Sequence, residues 1–293
     1  MWDAIPALQS KENIYMNKEE LLKSTTEAIE QLAKSLETGS ILLFKEFLDC
    51  LSRFPQYSYR NVLLIQRQFP EATEVKGFSA WLKEGRSVSK GQKGIAIVAP
   101  TPFRTTTENE EELATNPEVF SFRAVYVFDI SQTQLIDESD VQPGVPEAFD
   151  ACLAMERVYA DLGIYIESAE LPNRVLGSSF GGKVIINQHQ TFRSRLQTLA
   201  HELAHELLHQ KHGKLDTSIK RSIRELEAES ISYVVCRHLG VDCLLDSVRY
   251  IASYKKGPDE LRQSLVRIQQ TALEIIRKLE ESATATQDTA CVA

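Results

Sequence analysis

The sequence predicts an α+β protein built in two parts, and three observations carry that expectation. The chain up to Pro70 repeats its apolar residues at helical spacing, then changes to short runs rich in β-branched and aromatic residues. The stretch IDESDVQPGVPE, 136 to 147, combines acidic residues with Pro and Gly and reads as a linker. Beyond it helical spacing returns, broken by one short apolar strand. The expected domains are therefore 1–140, helical and then β, and 141–293, mostly helical with a short sheet.

Taken in order, KEELLKSTTEAIEQLAKSL is a helix punctuated by Gly39, ILLFKEFLDCLSRF a second, and SYRNVLLIQRQF a third, stopped by Pro70. GIAIVAP and FRAVYVFDI read as strands, and the acidic TTTENEEELATNPE between them as a solvent-facing loop. EAFDACLAMERVYADLG is the first helix after the linker, and GGKVIIN the short strand. TFRSRLQTLAHELAHELLHQKH is a long helix ending at Gly213, and SIRELEAESISYVVCRHLG another closed by a terminal Gly. The last helix, PDELRQSLVRIQQTALEIIRKLEES, puts Leu261, Leu265, Ile268, Ala272, Ile275, Ile276 and Leu279 on one face. The small, polar tail 283–293 is expected to be disordered.

With 43% hydrophobic and 25% charged residues, the chain can bury a sizeable core. No apolar run approaches the roughly 20 residues of a membrane span, so no membrane association is expected. The N-terminus has no signal-peptide pattern, and the five cysteines (50, 152, 236, 243, 291) are odd in number without C-x-x-C spacing. Reduced thiols in a cytoplasmic protein follow. The net charge of −8 is uneven: from Arg53 to Lys93 eight basic residues stand against three acidic ones, a window of +5. A local basic patch of that kind can bind phosphates on an acidic molecule.

HELAHELLH, 201 to 209, holds the pattern His-Glu-x-x-His twice in overlapping registers. At about 100° per residue, His201, His205 and His209 form one stripe of a helix, Glu202 and Glu206 lie beside it, and leucines cover the opposite side. Two imidazoles four residues apart can point Nε2 at one ion, and the Glu between them is placed to take a proton from water that the ion activates. A solvated charged helix face is the plainer reading; the crowding of all six histidines between 189 and 238 weighs against it. The first register is preferred, because His209 lies near the helix end at Gly213 and ligands need rigid support. It predicts that Glu202→Gln abolishes turnover while Glu206→Gln is mild, with His209 a substrate or outer-sphere neighbour.

A catalytic zinc takes three protein ligands, and RELEAES on the next helix supplies the third. Glu225 and Glu229 share a face and Glu227 points elsewhere; Glu225 is chosen as ligand, with Glu229 behind it orienting a histidine. Ser222 with Glu225 also fits a capping box, the structural alternative for Glu225. Tyr233, Tyr250 and His209 are candidates for steadying an oxyanion, and GGKVIIN could add a peptide strand if its edge is free.

TLAHELAHELLH, preceded by GGKVIIN and followed by RELEAESISYVVCRHLG, resembles the gluzincin-type peptidase domain of ImmA/IrrE and ArdC proteins. In that resemblance an E-x-x-A element gives the third zinc ligand, here Glu225 to Ala228. DSVRYIASYKKG resembles the ArdC-type C-terminus, with Tyr254 where a Trp occurs in the family. FPQYSYRNVLLIQRQFPEATEVKGFSAWLKEGRSVSKGQKGIAIVAP and FRAVYVFDISQTQ resemble the single-stranded-DNA-binding domain of ArdC-like proteins. The resemblance implies Zn²⁺, a single-stranded DNA partner and a DNA-associated protein substrate, in a crosslink-repair, repressor-cleaving or antirestriction setting. The candidate DNA-contacting residues of this window are Arg53, Tyr57, Tyr59, Arg60, Asn61, Arg67, Arg86, Lys90 and Lys93. From the residues alone, the aromatics of this window (Tyr57, Tyr59, Phe78, Trp81) either stack on bases or sit in the core. The rival reading is a non-proteolytic, strand-coating protection protein with a structural or vestigial zinc. Oligomeric state is not legible.

Overall fold

The structure, a computed structural model, describes residues 16–101, 121–135, 148–172, 175–211, 213–243 and 257–290. Helix α1 (Lys18–Glu37) opens on a reciprocal capping box: Asn17 accepts from the Glu20 amide while Glu20 accepts from that of Asn17, each at 2.9 Å. With α2 (Leu42–Arg53) and α3 (Tyr59–Gln68) it forms a helical layer whose Leu36, Phe44, Phe47, Leu51 and Ile65 are fully buried. Pro70 ends that run. β1 (Val75–Gly77), a short α4 (Phe78–Lys83), β2 (Arg86–Val88), β3 (Ile95–Thr101), β4 (Ser121–Asp129) and β5 (Thr133–Leu135) follow. β1, β4 and β3 make an antiparallel sheet in that order, and β2 pairs with β5. The GFSAW segment, given no element by its spacing, buries Trp81, whose Nε1 donates to the Phe128 carbonyl at 2.8 Å.

The second half contains α5 (Ala148–Asp161), β6 (Tyr165–Ala169), β7 (Gly177–Ser179), β8 (Lys183–Asn187), α6 (Phe192–His209), the two-residue strands β9 (Gln210–Lys211) and β10 (Lys214–Leu215), α7 (Arg221–His238) and α8 (Pro258–Ala290). Its sheet runs β6-β8-β7, with β6 parallel and β7 antiparallel to β8. GGKVIIN is therefore a central strand with both edges taken, which corrects the expectation that it could receive a peptide. The outer edge of β7 carries no strand among the described residues. α8 runs to Ala290 rather than stopping before Ala283, since neither Gly nor Pro interrupts SATATQDTA.

The two halves share one apolar core, with α2 packed on α7 and α1 on α8. The expected boundary at 136–147 lies outside the described residues, as do the acidic loop, Tyr250, Tyr254 and Cys291. No helix among the described residues is long and apolar enough to cross a membrane.

Candidate metal centre

Helix α6 is fixed before it offers any chemistry. Thr191 caps it by accepting from the Ser194 amide at 3.3 Å. Leu196, Leu199 and Leu203 are fully buried on the inner face. Tyr159 of α5 and Ser232 of α7 donate their hydroxyls to the carbonyls of Leu199 and Gln197, at 2.7 and 2.8 Å. The outer stripe then presents His201 and His205 to α7. Ser222 and Glu225 form no capping box, because α7 begins with Lys220 as its N-cap and no side chain caps it. Glu225 is thereby available at the site.

The three expected ligands meet. Nε2 of His201 and Nε2 of His205 are 3.1 Å apart, and Oε2 of Glu225 is 3.6 Å from each. One ion at metal–ligand lengths of about 2 Å spans a triangle of that size. Among the described residues His201, His205 and Glu225 are the group of donors that converges in this way. Two borderline nitrogens and one hard oxygen are a divalent-metal set. Burial disfavours charge on His201, but its contacts with Glu225 and Glu229 outweigh that and raise its pKa to about 10. Burial likewise opposes ionisation of Glu225, and the two imidazoles overcome it, holding the carboxyl well below its usual range. Both shifts have the same source, the contacts between these carboxylates and imidazoles.

Glu229 stands behind His201, its Oε2 3.3 Å from Nδ1, as expected of an orienting carboxylate. Glu202 is 7% exposed. Burial chiefly lifts its pKa to about 7, with Glu225 and Glu206 adding to the shift and His201 opposing it. The β7 backbone lies directly against it: a Cβ on Gly177 would come within 2.9 Å of the Glu202 carboxylate and 2.7 Å of Thr198. A lone Gly in a strand is the signal for such close approach, and our sequence reading did not use it.

The residues of the second register make contacts within the fold. Glu206 accepts backbone N–H groups from Phe180, Gly181 and Gly182 at 3.1, 2.9 and 2.6 Å, clamping the β7–β8 turn onto α6. His209 is not a frayed surface neighbour but fully buried, its Nδ1 2.9 Å from Nδ1 of His205. It therefore stands behind the ligand and cannot meet substrate. Tyr233 is removed from the oxyanion candidates, since its hydroxyl donates to Asp49 of α2 at 2.6 Å.

The expected DNA contacts divide. Asn61 is buried and uses both ends of its amide on the Val98 backbone, at 2.9 and 3.0 Å, so it ties α3 to β3. Arg53 donates to the carbonyls of Asp49, Pro70 and Ala72. Tyr57 donates to the Val75 carbonyl at 3.0 Å, and Tyr59 is buried. All four are engaged within the fold, Tyr59 and Asn61 buried and Arg53 and Tyr57 half-buried. Arg67 reaches the Ser24 carbonyl at 2.7 Å yet stays exposed, and half-buried Arg86 donates to Thr133 at 2.8 Å. Arg60, Lys90 and Lys93 are exposed, as are Lys83 and Phe78.

A helix bearing His-Glu-x-x-His, with a glutamate from the following helix beside it, is a candidate divalent-metal site of the kind a metallopeptidase-like domain would carry. Comparison with known proteins agrees. Residues 160–238 match the IrrE N-terminal-like domain, a peptidase family, and residues 17–128 match the N-terminal domain of anti-restriction factor ArdC. Together the two matched regions support an ArdC-like family. Crystal structures of antirestriction ArdC from plasmid R388, metal-free and Mn(II)-bound, align with TM-scores of 0.54 and 0.55 at 18% identity. They cover 89% and 88% of this chain and 98% and 97% of theirs, and establish the shared fold. An uncharacterized Bacillus anthracis protein is 26% identical over 93% of this chain, which spans 53% of that relative's length.

Proposed function

We propose that the chain is a zinc-dependent endopeptidase whose N-terminal half binds single-stranded DNA and which acts on proteins at or near DNA. The observation that carries the reading is the 3.1 by 3.6 by 3.6 Å triangle of donors with a buried glutamate between the two histidines. His201, His205 and Glu225 would hold the ion, which would supply Lewis acidity toward a carbonyl and toward water. The chain's own residues do the rest. Glu202, with its carboxyl near neutrality at about 7, accepts a proton and returns it to the leaving amine. Glu229 keeps the His201 ring aimed. The outer edge of β7, held against Glu202 at Gly177, offers backbone groups to an extended substrate segment. Two imidazoles and a carboxylate suit zinc; Mn²⁺, the ion in one R388 ArdC structure, is the harder alternative.

The DNA partner is supported by the match to the ArdC N-terminal domain and by the exposed cations Arg60, Arg67, Lys83, Lys90 and Lys93, with Phe78 as an exposed ring. The domain division proposed is 1–140 and 141–293. The test measures metal content and cleavage of a DNA-bound protein, with and without single-stranded DNA. Wild type should carry one zinc and cleave; Glu202→Gln should carry the zinc and not cleave. Equal cleavage by both would refute the mechanism. Protection of DNA by both without any cleavage would leave a strand-coating protein.

A further inference from the structure

His209 and Glu227 are both fully buried behind the metal position, and neither takes part in the chemistry above. We propose that His209, Glu227 and Arg267 form a positioning relay, anchored on the C-terminal helix, that fixes the ring of the metal ligand His205. The inference rests on the metal site proposed above and goes beyond it by assigning a role to α8.

The hydrogen positions follow from giving Nε2 of His205 to the metal. With Nε2 of His205 turned to the metal, its Nδ1 carries the hydrogen and donates to Nδ1 of His209 at 2.9 Å. His209 then keeps its hydrogen on Nε2 and donates it to Oε2 of Glu227 at 3.1 Å. Oε1 of Glu227 accepts from Ser264 Oγ at 2.6 Å and from Arg267 Nε at 2.9 Å, with a second bond from Arg267 Nη2. Each donor meets an acceptor, the ligating imidazole is neutral as ligation requires, and one guanidinium balances the one buried carboxylate. His201 is backed directly by Glu229, whereas His205 reaches its carboxylate through an interposed imidazole. The overlapping motif is thereby accounted for: its second register supplies the relay histidine and the Glu206 clamp.

The test loads the full chain with Co²⁺, reads it by its visible absorption, and titrates Zn²⁺ in competition. His205→Ala should abolish binding. Glu227→Gln, whose amide must set N–H against N–H, and Arg267→Met should each weaken binding ten- to a hundred-fold and shift the Co²⁺ bands. Arg267→Lys should recover most of the affinity. Wild-type affinity and bands in Glu227→Gln and Arg267→Met, with binding lost in His205→Ala, would overturn the relay and leave the metal site standing. Binding that survives His205→Ala would instead sink the metal site. Unfolding of both relay variants, read by circular dichroism, would assign the cluster to the fold and overturn the relay equally.

Discussion

A carboxyl lifted to about 7 acts as a base only on the alkaline side of its pKa. Cleavage should therefore rise with pH, and a cation beside Glu202 must move the midpoint below that value by favouring the carboxylate. The kcat/KM profile of wild type checks this; an activity that falls across the same range would contradict the base. Glu206 calls for a different expectation than spacing gave. A glutamine there turns an amide N–H toward one of three backbone donors, so Glu206→Gln should cost about 1–3 kcal/mol and raise KM while keeping the metal, by denaturant unfolding and steady-state kinetics. The convergence of His201 and His205, with Glu202 beside them, was legible because a four-residue spacing on one helix fixes their geometry. Asn61 was not, because its partner Val98 stands 37 residues away and nothing local marks a side chain bound to a distant strand.

At the scale of elements, β7 decides how substrate would meet the base. Its Gly177 has nowhere to put a Cβ, with Thr198 and Glu202 at 2.7 and 2.9 Å. Gly177→Ala should push the strand off α6 and lower kcat/KM at least tenfold, about 1.4 kcal/mol in barrier, with metal affinity unchanged. Activity equal to wild type would show the strand free to move. The long helices were read correctly from their apolar period, since burial of one face repeats the signal many times. β7 was missed because three residues, Gly-Ser-Ser, carry no alternation, and β6 because its strand pairing, not its sequence, makes it a strand. β8 was found but misplaced: alternation shows that Val184 and Ile186 are buried, and says nothing about which neighbours flank the strand.

For the whole molecule, the two halves differ in chemistry yet are joined by side chains that also serve the metal helices. Tyr233 of α7, one turn beyond Glu229, donates to Asp49 of α2; Lys45 pairs with the other oxygen of Asp49 at 2.9 Å. On the same helix, His238 meets the Ser52 carbonyl at 2.9 Å, and Gln269 of α8 donates to the Pro55 carbonyl at 3.0 Å. α8 thus carries Arg267 toward the metal side and Gln269, two residues on, toward the N-terminal half. These contacts across the halves predict that the two proposed domains unfold together. Calorimetry of the full chain should give one transition. Tyr233→Phe removes a hydrogen bond to a charged group and should lower stability by about 1–3 kcal/mol, shifting that transition without splitting it. Two resolved transitions in wild type, or a Tyr233→Phe protein in which only one half melts earlier, would mean that the halves are merely adjacent. In that case DNA bound to one could not bias the metal helix of the other through α2 and α7.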